Sequence, residues 1–158
     1  MRKNIRSVVF IAAIAFAAVL LTACYKTPLN SDVFRKVAKE KGYNIYNVTD
    51  QYVNAPQIKE VFIAAPENRE FQIEFYTITD RDSAMKLYQV ESDVFDGYQG
   101  QKKENKVTSG KNYARRVVVA ENENYLMVSY IDNTLVYVPP TPKENREAIE
   151  EFLNEIKY

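Results

Sequence analysis

The chain has 158 residues, and its 21 basic and 21 acidic side chains balance to zero net charge. One Cys and no His exclude an intrachain disulfide, a Ser-His-Asp or Cys-His triad and a zinc site of Cys/His type. Acid–base chemistry is thereby confined to Asp, Glu, Lys and Tyr.

The first 23 residues read as an export leader. Arg2, Lys3 and Arg6 give a basic start with no acid, and residues 8–21 form an uninterrupted apolar run of 14. That is the layout of a secretory signal peptide. The run is shorter than the roughly 20 residues a helix needs to cross a bilayer. It closes on Leu21, Thr22, Ala23 and Cys24. This tetrapeptide resembles the lipobox of bacterial lipoproteins. The resemblance implies diacylglycerol, with palmitate-like acyl chains, on the Cys24 thiol. It also implies recognition of Leu21, Thr22 and Ala23 by a signal peptidase that cuts before Cys24. An ordinary leader cut nearby would leave an exported lone cysteine without a role. Two or more acyl chains anchor stably, at about 0.8 kcal/mol per buried CH₂, so the expected location is the extracytoplasmic face of the cell membrane.

Cleavage there leaves 135 residues, enough for one domain with its own core. This part carries 18 basic and 21 acidic residues, a net charge of −3, which makes no electrostatic case for nucleic acid. The expected organisation is a signal peptide at 1–23, a lipidated tether at 24–31 and a single domain at 32–158. Residues 25–31 span at most about 25 Å when extended, so the domain would sit close to the bilayer.

Residues 32–41 read as a short helix, with Asn30 or Ser31 as cap and Gly42 as its end. Val33, Phe34, Val37 and Ala38 share one face. Residues 43–48 suggest a strand, and Pro56 places a loop or turn in 51–59. Residues 61–65 and 70–79 suggest a hairpin around the turn signal at 66–69. Its second strand alternates Phe71, Ile73, Phe75 and Thr77 against Gln72, Glu74 and Tyr76, the pattern of a half-buried antiparallel strand. Residues 80–98 read as a helix with Ala84, Leu87, Tyr88, Glu91, Val94 and Phe95 on one stripe, started by Thr79 or Asp80. The polar stretch 99–112 carries Lys102, Lys103, Lys106 and Lys111 and reads as a flexible surface loop. It is either merely solvated or in contact with anionic lipid or a wall polyanion. Strands are expected at 113–120, 125–131 and 134–138, and a last helix with Ile149, Phe152, Leu153 and Ile156 buried. Thr141, Pro142, Lys143 and Glu144 have the spacing of a capping box with Pro at the first helical position.

These elements predict an α+β fold: a single antiparallel sheet of five or six strands, with about three helices packed on one face. Beyond the leader, the stretch 71–84 and the closing 132–137 with the terminal helix resemble small lipoproteins of low-GC Gram-positive gut bacteria. That resemblance implies a location and a fold style, and is silent on catalysis.

Four residues are candidate ligand contacts. Asp80 and Asp82 form a carboxylate pair at a helix start, where capping and the helix dipole also favour acids. Arg115 and Arg116 are adjacent on a strand and so point to opposite faces. One is expected to face solvent, and the other to lie at the sheet edge, to pair with Glu74 or a helix carboxylate, or to bind a ligand's carboxylate in a groove. The 11 Tyr beyond Tyr25 read as rings buried with wet hydroxyls, or as a sugar-stacking surface. No catalytic, metal or cofactor motif is expected. The leading expectation is a non-catalytic, membrane-anchored binding or accessory module with an envelope protein or wall polymer as partner. The alternative is an envelope glycan or peptide hydrolase or lyase that uses Asp/Glu and Tyr, which requires a cleft with converging carboxylates, one of raised pKa.

Overall fold

A computed structural model of the chain describes residues 25–97 and 102–158. Leu21, Thr22, Ala23 and Cys24, which carry the lipobox reading, lie outside the described residues.

Helix α1 (Ser31–Glu40) starts where the Asn30 side chain accepts the Asp32 amide at 2.7 Å. Gly42, at φ 73°, ends it, and the Gly42 and Tyr43 amides turn back to the Lys39 and Ala38 carbonyls. Strand β1 (Asn44–Asn47) and a 3-10 turn (Thr49–Tyr52) follow, then β2 (Ile58–Ala65) and β3 (Ile73–Ile78) as a hairpin. Asp80 caps helix α2 (Arg81–Asp96) by accepting the Ser83 amide at 2.9 Å. Strands β4 (Lys102–Ser109), β5 (Tyr113–Ala120), β6 (Asn124–Ile131) and β7 (Thr134–Pro142) form a meander, and helix α3 (Arg146–Glu155) closes the fold.

All strands belong to one antiparallel sheet, ordered β1-β2-β3-β7-β6-β5-β4. Strand β7 returns beside β3, with Phe75 opposite Val136, and joins two meanders into one sheet. The fold is α+β. Its sheet has seven strands rather than five or six. The additional strand, β4, lies within the stretch expected to be a loop. Its Lys, Glu and Asn side chains have poor strand propensity. As an edge strand it gains its order from one backbone ladder to β5, with Lys106 opposite Val117, and lysine along an edge discourages further pairing.

The helices lie on both faces of the sheet, not on one. On the first face, Phe62, Phe75, Val117, Met127 and Val136 pack with Phe34 of α1 and with Ile149, Phe152 and Leu153 of α3. On the second face, Val61, Tyr76, Val118, Leu126, Val128 and Leu135 pack with Ala84 and Phe95 of α2. Strand β3 is consequently buried on both sides, where its alternation suggested one wet face. The unbroken apolar runs of β5 and β6 are what a strand covered on both faces requires. Val33 and Val94 were expected in buried stripes but lie outside both cores, with Val94 about half exposed.

The capping box before the last helix does not form. Thr141 and Pro142 belong to β7, the Thr141 hydroxyl donates to the Glu70 carbonyl at 3.2 Å, and a 3-10 turn (Lys143–Asn145) precedes α3. Pro142 is extended, at ψ 135°, so its ring prolongs the strand instead of opening the helix. Ile149, Phe152, Leu153 and Ile156 are buried as expected.

The short N-terminal spacer is docked on the domain. The Lys26 amide donates to Asn112 Oδ1 at 3.0 Å, and Asn112 Nδ2 donates to the Lys26 carbonyl at 2.7 Å. Asn112 is fully buried, and Leu29 packs against the first-face core. Among the described residues, no helix is long and apolar enough to cross a membrane.

Candidate functional site

A polar groove lies on the first face, between the β4–β5 edge and α3. Alternate residues of β4 send Glu104, Lys106 and Thr108 to one side. Arg115 and Val117 of β5 stand opposite Thr108 and Lys106. Arg146 and Glu150, four residues apart, occupy one face of α3. Together these seven residues line a groove of about 260 Å³.

Two ion pairs span it. Arg146 grips Glu104 through both terminal nitrogens, at 2.7 and 3.0 Å, the fork geometry that makes Arg–carboxylate pairs strong. The Arg146 hydrogen bond holds the Glu104 carboxyl below the usual range and raises the Arg146 guanidinium in turn. Arg115 donates to Glu150 Oε2 at 2.5 Å and to the Tyr158 carbonyl at 3.3 Å. The Tyr125 hydroxyl donates to the other Glu150 oxygen at 2.7 Å. Burial, and then the Glu150 charge, raise the Tyr125 phenol and keep it a donor. The Arg115 Nε is buried without a partner, and among the described residues Lys106 is in no ion pair. The groove thus carries three cations and two carboxylates of alternating sign.

A second cluster lies on the opposite face. Glu74 accepts the Tyr76 hydroxyl at 2.5 Å and Gln72 Nε2 at 2.6 Å, and the Tyr52 and Tyr76 hydroxyls are 3.1 Å apart. Burial, and then Glu74, raise the Tyr76 phenol. Glu91 of α2 is raised by burial and then by the Glu74 charge, against a lowering hydrogen bond from Tyr137. A groove of about 380 Å³ with an apolar floor of Ile58, Ile78, Leu87 and Val90 runs along α2 on this face, and neither carboxylate lines it.

Of the four residues singled out in the sequence, only Arg115 lines a groove that carries charge of both signs. Arg116 points the other way and is 7% exposed. It donates to the Ser92 carbonyl at 2.7 Å, to Asp96 at 2.6 Å and to Asn105 at 3.2 Å, tying the last turn of α2 to β5 and β4. Both arginines therefore meet a helix carboxylate, and neither simply faces solvent. Asp80 spends both oxygens on its cap, on Ser83 and Thr79, and the Ser83 amide is the main reason its carboxyl is lowered. Asp82 is exposed in the first turn of α2 and forms no pair with Asp80. The sequence reading missed Glu104, Arg146 and Glu150. The spacing of Arg146 and Glu150 was a usable signal. Glu104 stood in a stretch taken for a loop.

No family model matches the chain, and no curated protein matches it. One solved structure, described as a GTP-binding regulator from Thermotoga maritima, is similar at a TM-score of 0.45 and 15% identity, over 80% of this chain and 84% of that one. A likeness of that size carries no functional argument.

Proposed function

We propose that this protein is a non-catalytic binding or accessory module, held at the extracytoplasmic face of the cell membrane by diacylglycerol on Cys24. The groove between β4, β5 and α3 is its binding site. The anchor is supported by the leader and its closing tetrapeptide. The binding role is supported by one observation above others: Glu104, Lys106, Arg115, Arg146 and Glu150 converge on one groove with alternating charge. Such a lining suits a small zwitterion, an amino acid or the charged segment of an envelope peptide. The ligand's carboxylate would meet Arg115 and Lys106, and its ammonium group Glu150. Titration calorimetry of the intact lipoprotein with free amino acids and short peptides tests this. Arg115→Gln and Glu150→Gln are each expected to weaken binding at least about tenfold. The proposal falls if none of these ligands binds or if both variants bind as the parent does.

The second reading, an envelope hydrolase or lyase, draws on the raised Glu91 beside Glu74 and Tyr76. It needs both carboxylates at one cleft. A glycan or peptide turnover assay in which Glu91→Gln and Glu74→Gln each abolish activity would support it. Unchanged turnover in both variants would remove it.

A further inference from the structure

Residues 26–30 cross one end of the sheet and fix where any anchor must emerge. The Lys26 backbone is bonded in both directions to the buried Asn112 of the β4–β5 turn. Asn112 in turn accepts the Asp132 amide of the β6–β7 turn at 2.7 Å. Cys24 stands two residues before Lys26 in the sequence, so a lipid on it would be joined to that end through two residues. The turns at 66–69 and 121–123 lie at the opposite end, about 25 Å away along the eight residues of β5.

The end that holds the tether also has a surface suited to lipid. A cavity of about 570 Å³ opens between the tether and the end of α3, walled by Pro28, Leu29, Val33 and Ile156 and flanked by Lys26 and Lys157, with no acid in its lining. Tyr25, beside Cys24, is 57% exposed, and aromatic rings of this kind favour the membrane interface. The Lys26 amine sits 4.8 Å over the Tyr113 ring. Among the described residues neither lysine is ion-paired. Burial, and then the Arg115 charge, lower the Lys26 amine. A partly buried cation without a counter-charge is stabilised by any anion that reaches it.

We propose that this end faces the bilayer in the anchored protein, and that the cavity takes an anionic phospholipid. Its phosphate lies beside Lys26 and Lys157, and its upper acyl chain lies against Leu29, Val33 and Ile156. The inference rests on the lipid reading of Cys24 and deepens it. Strands β4 and β5 then rise from the membrane, with Thr108 and Arg115 at the near end of the ligand groove and Glu104 and Arg146 at the far end.

The test uses the intact lipoprotein in vesicles of phosphatidylcholine, with or without phosphatidylglycerol. Because lipidation occupies the Cys24 thiol, cysteines introduced as Lys111→Cys and Asp32→Cys, the latter exposed and outside the cavity lining, mark the near end, and Glu121→Cys marks the far end. Each carries a fluorophore, and the lipids carry a quencher. The near probes are expected to be quenched several-fold more than the far one. Phosphatidylglycerol deepens quenching at position 32, and K26Q/K157Q abolishes that gain. Equal quenching at the two ends overturns the orientation. A near-end signal indifferent to both phosphatidylglycerol and K26Q/K157Q overturns the phospholipid site. The mass of the N-terminal peptide separates the two failures. An unmodified Cys24 sinks the anchor and this inference together, whereas a lipidated Cys24 with equal quenching sinks this inference alone.

Discussion

At the scale of single residues, burial decides what each charge does. Arg116 and Arg115 are adjacent, yet the first fastens the fold and the second lines a groove. The strand's period of two sends them to opposite faces. Arg116 is buried among a helix-terminal carbonyl, Asn105 and Asp96. Truncating it removes the buried guanidinium and its hydrogen bonds to α2 and β4, and Arg116→Ala is expected to cost about 2–3 kcal/mol in urea unfolding. Arg116→Lys keeps the charge but not the fork, and recovers only part of that loss. Glu91 gives a pH test whose sign follows from its direction of shift. Burial and the Glu74 charge raise its folded pKa above the unfolded value, so the folded state holds the proton more tightly. Its favourable contribution is complete below the unfolded pKa and is lost as pH rises through the folded pKa. Glu91→Gln is therefore expected to be more stable than the parent at neutral pH, and the difference to close in acid. A parent whose advantage over Glu91→Gln grows with pH would contradict this.

At the scale of elements, the sequence was readable wherever a side-chain pattern alone fixes structure. The caps at Asn30 and Asp80, the end of α1 at Gly42 and the buried stripe of α3 are local, and each is visible in a few residues. Elements that depend on a distant partner were harder to read. Strand β4 exists because β5 offers it a ladder, and its own composition says loop. The charged groove escaped with it, because Glu104 and Lys106 share a face only once β4 is extended. The box at 141–144 failed for a related reason: pairing of β7 claims Thr141 before a helix can start. Glu144→Ala is accordingly expected to change stability by less than about 0.5 kcal/mol, where a working box would lose about 1 kcal/mol. Gly42→Ala makes the contrasting case. A Cβ there meets nothing within 4 Å, so the whole cost is conformational strain at φ 73°. About 1 kcal/mol is expected, read as a shift in the urea midpoint at constant slope.

At the scale of the molecule, one sheet supports two cores. Strands β5, β6 and β7 give one set of side chains to α1 and α3 and the alternate set to α2. Neither core can be dismantled without exposing strands the other uses, so the two should melt together, although they never touch across the sheet. Phe152 and Phe95 are both fully buried, on opposite sides. Layers pack about 10 Å from a sheet on each side, which puts these rings beyond the range at which substitutions couple directly. Phe152→Leu and Phe95→Leu should each cost about 1–2 kcal/mol, and the double variant should lose the sum to within about 0.5 kcal/mol. In every variant, tyrosine fluorescence and far-ultraviolet circular dichroism should trace one coincident urea transition. Separate transitions in Phe95→Leu alone would mean that α2 is an independently melting layer. The Arg116 clamp between α2 and β5 would then be too weak to couple the two faces.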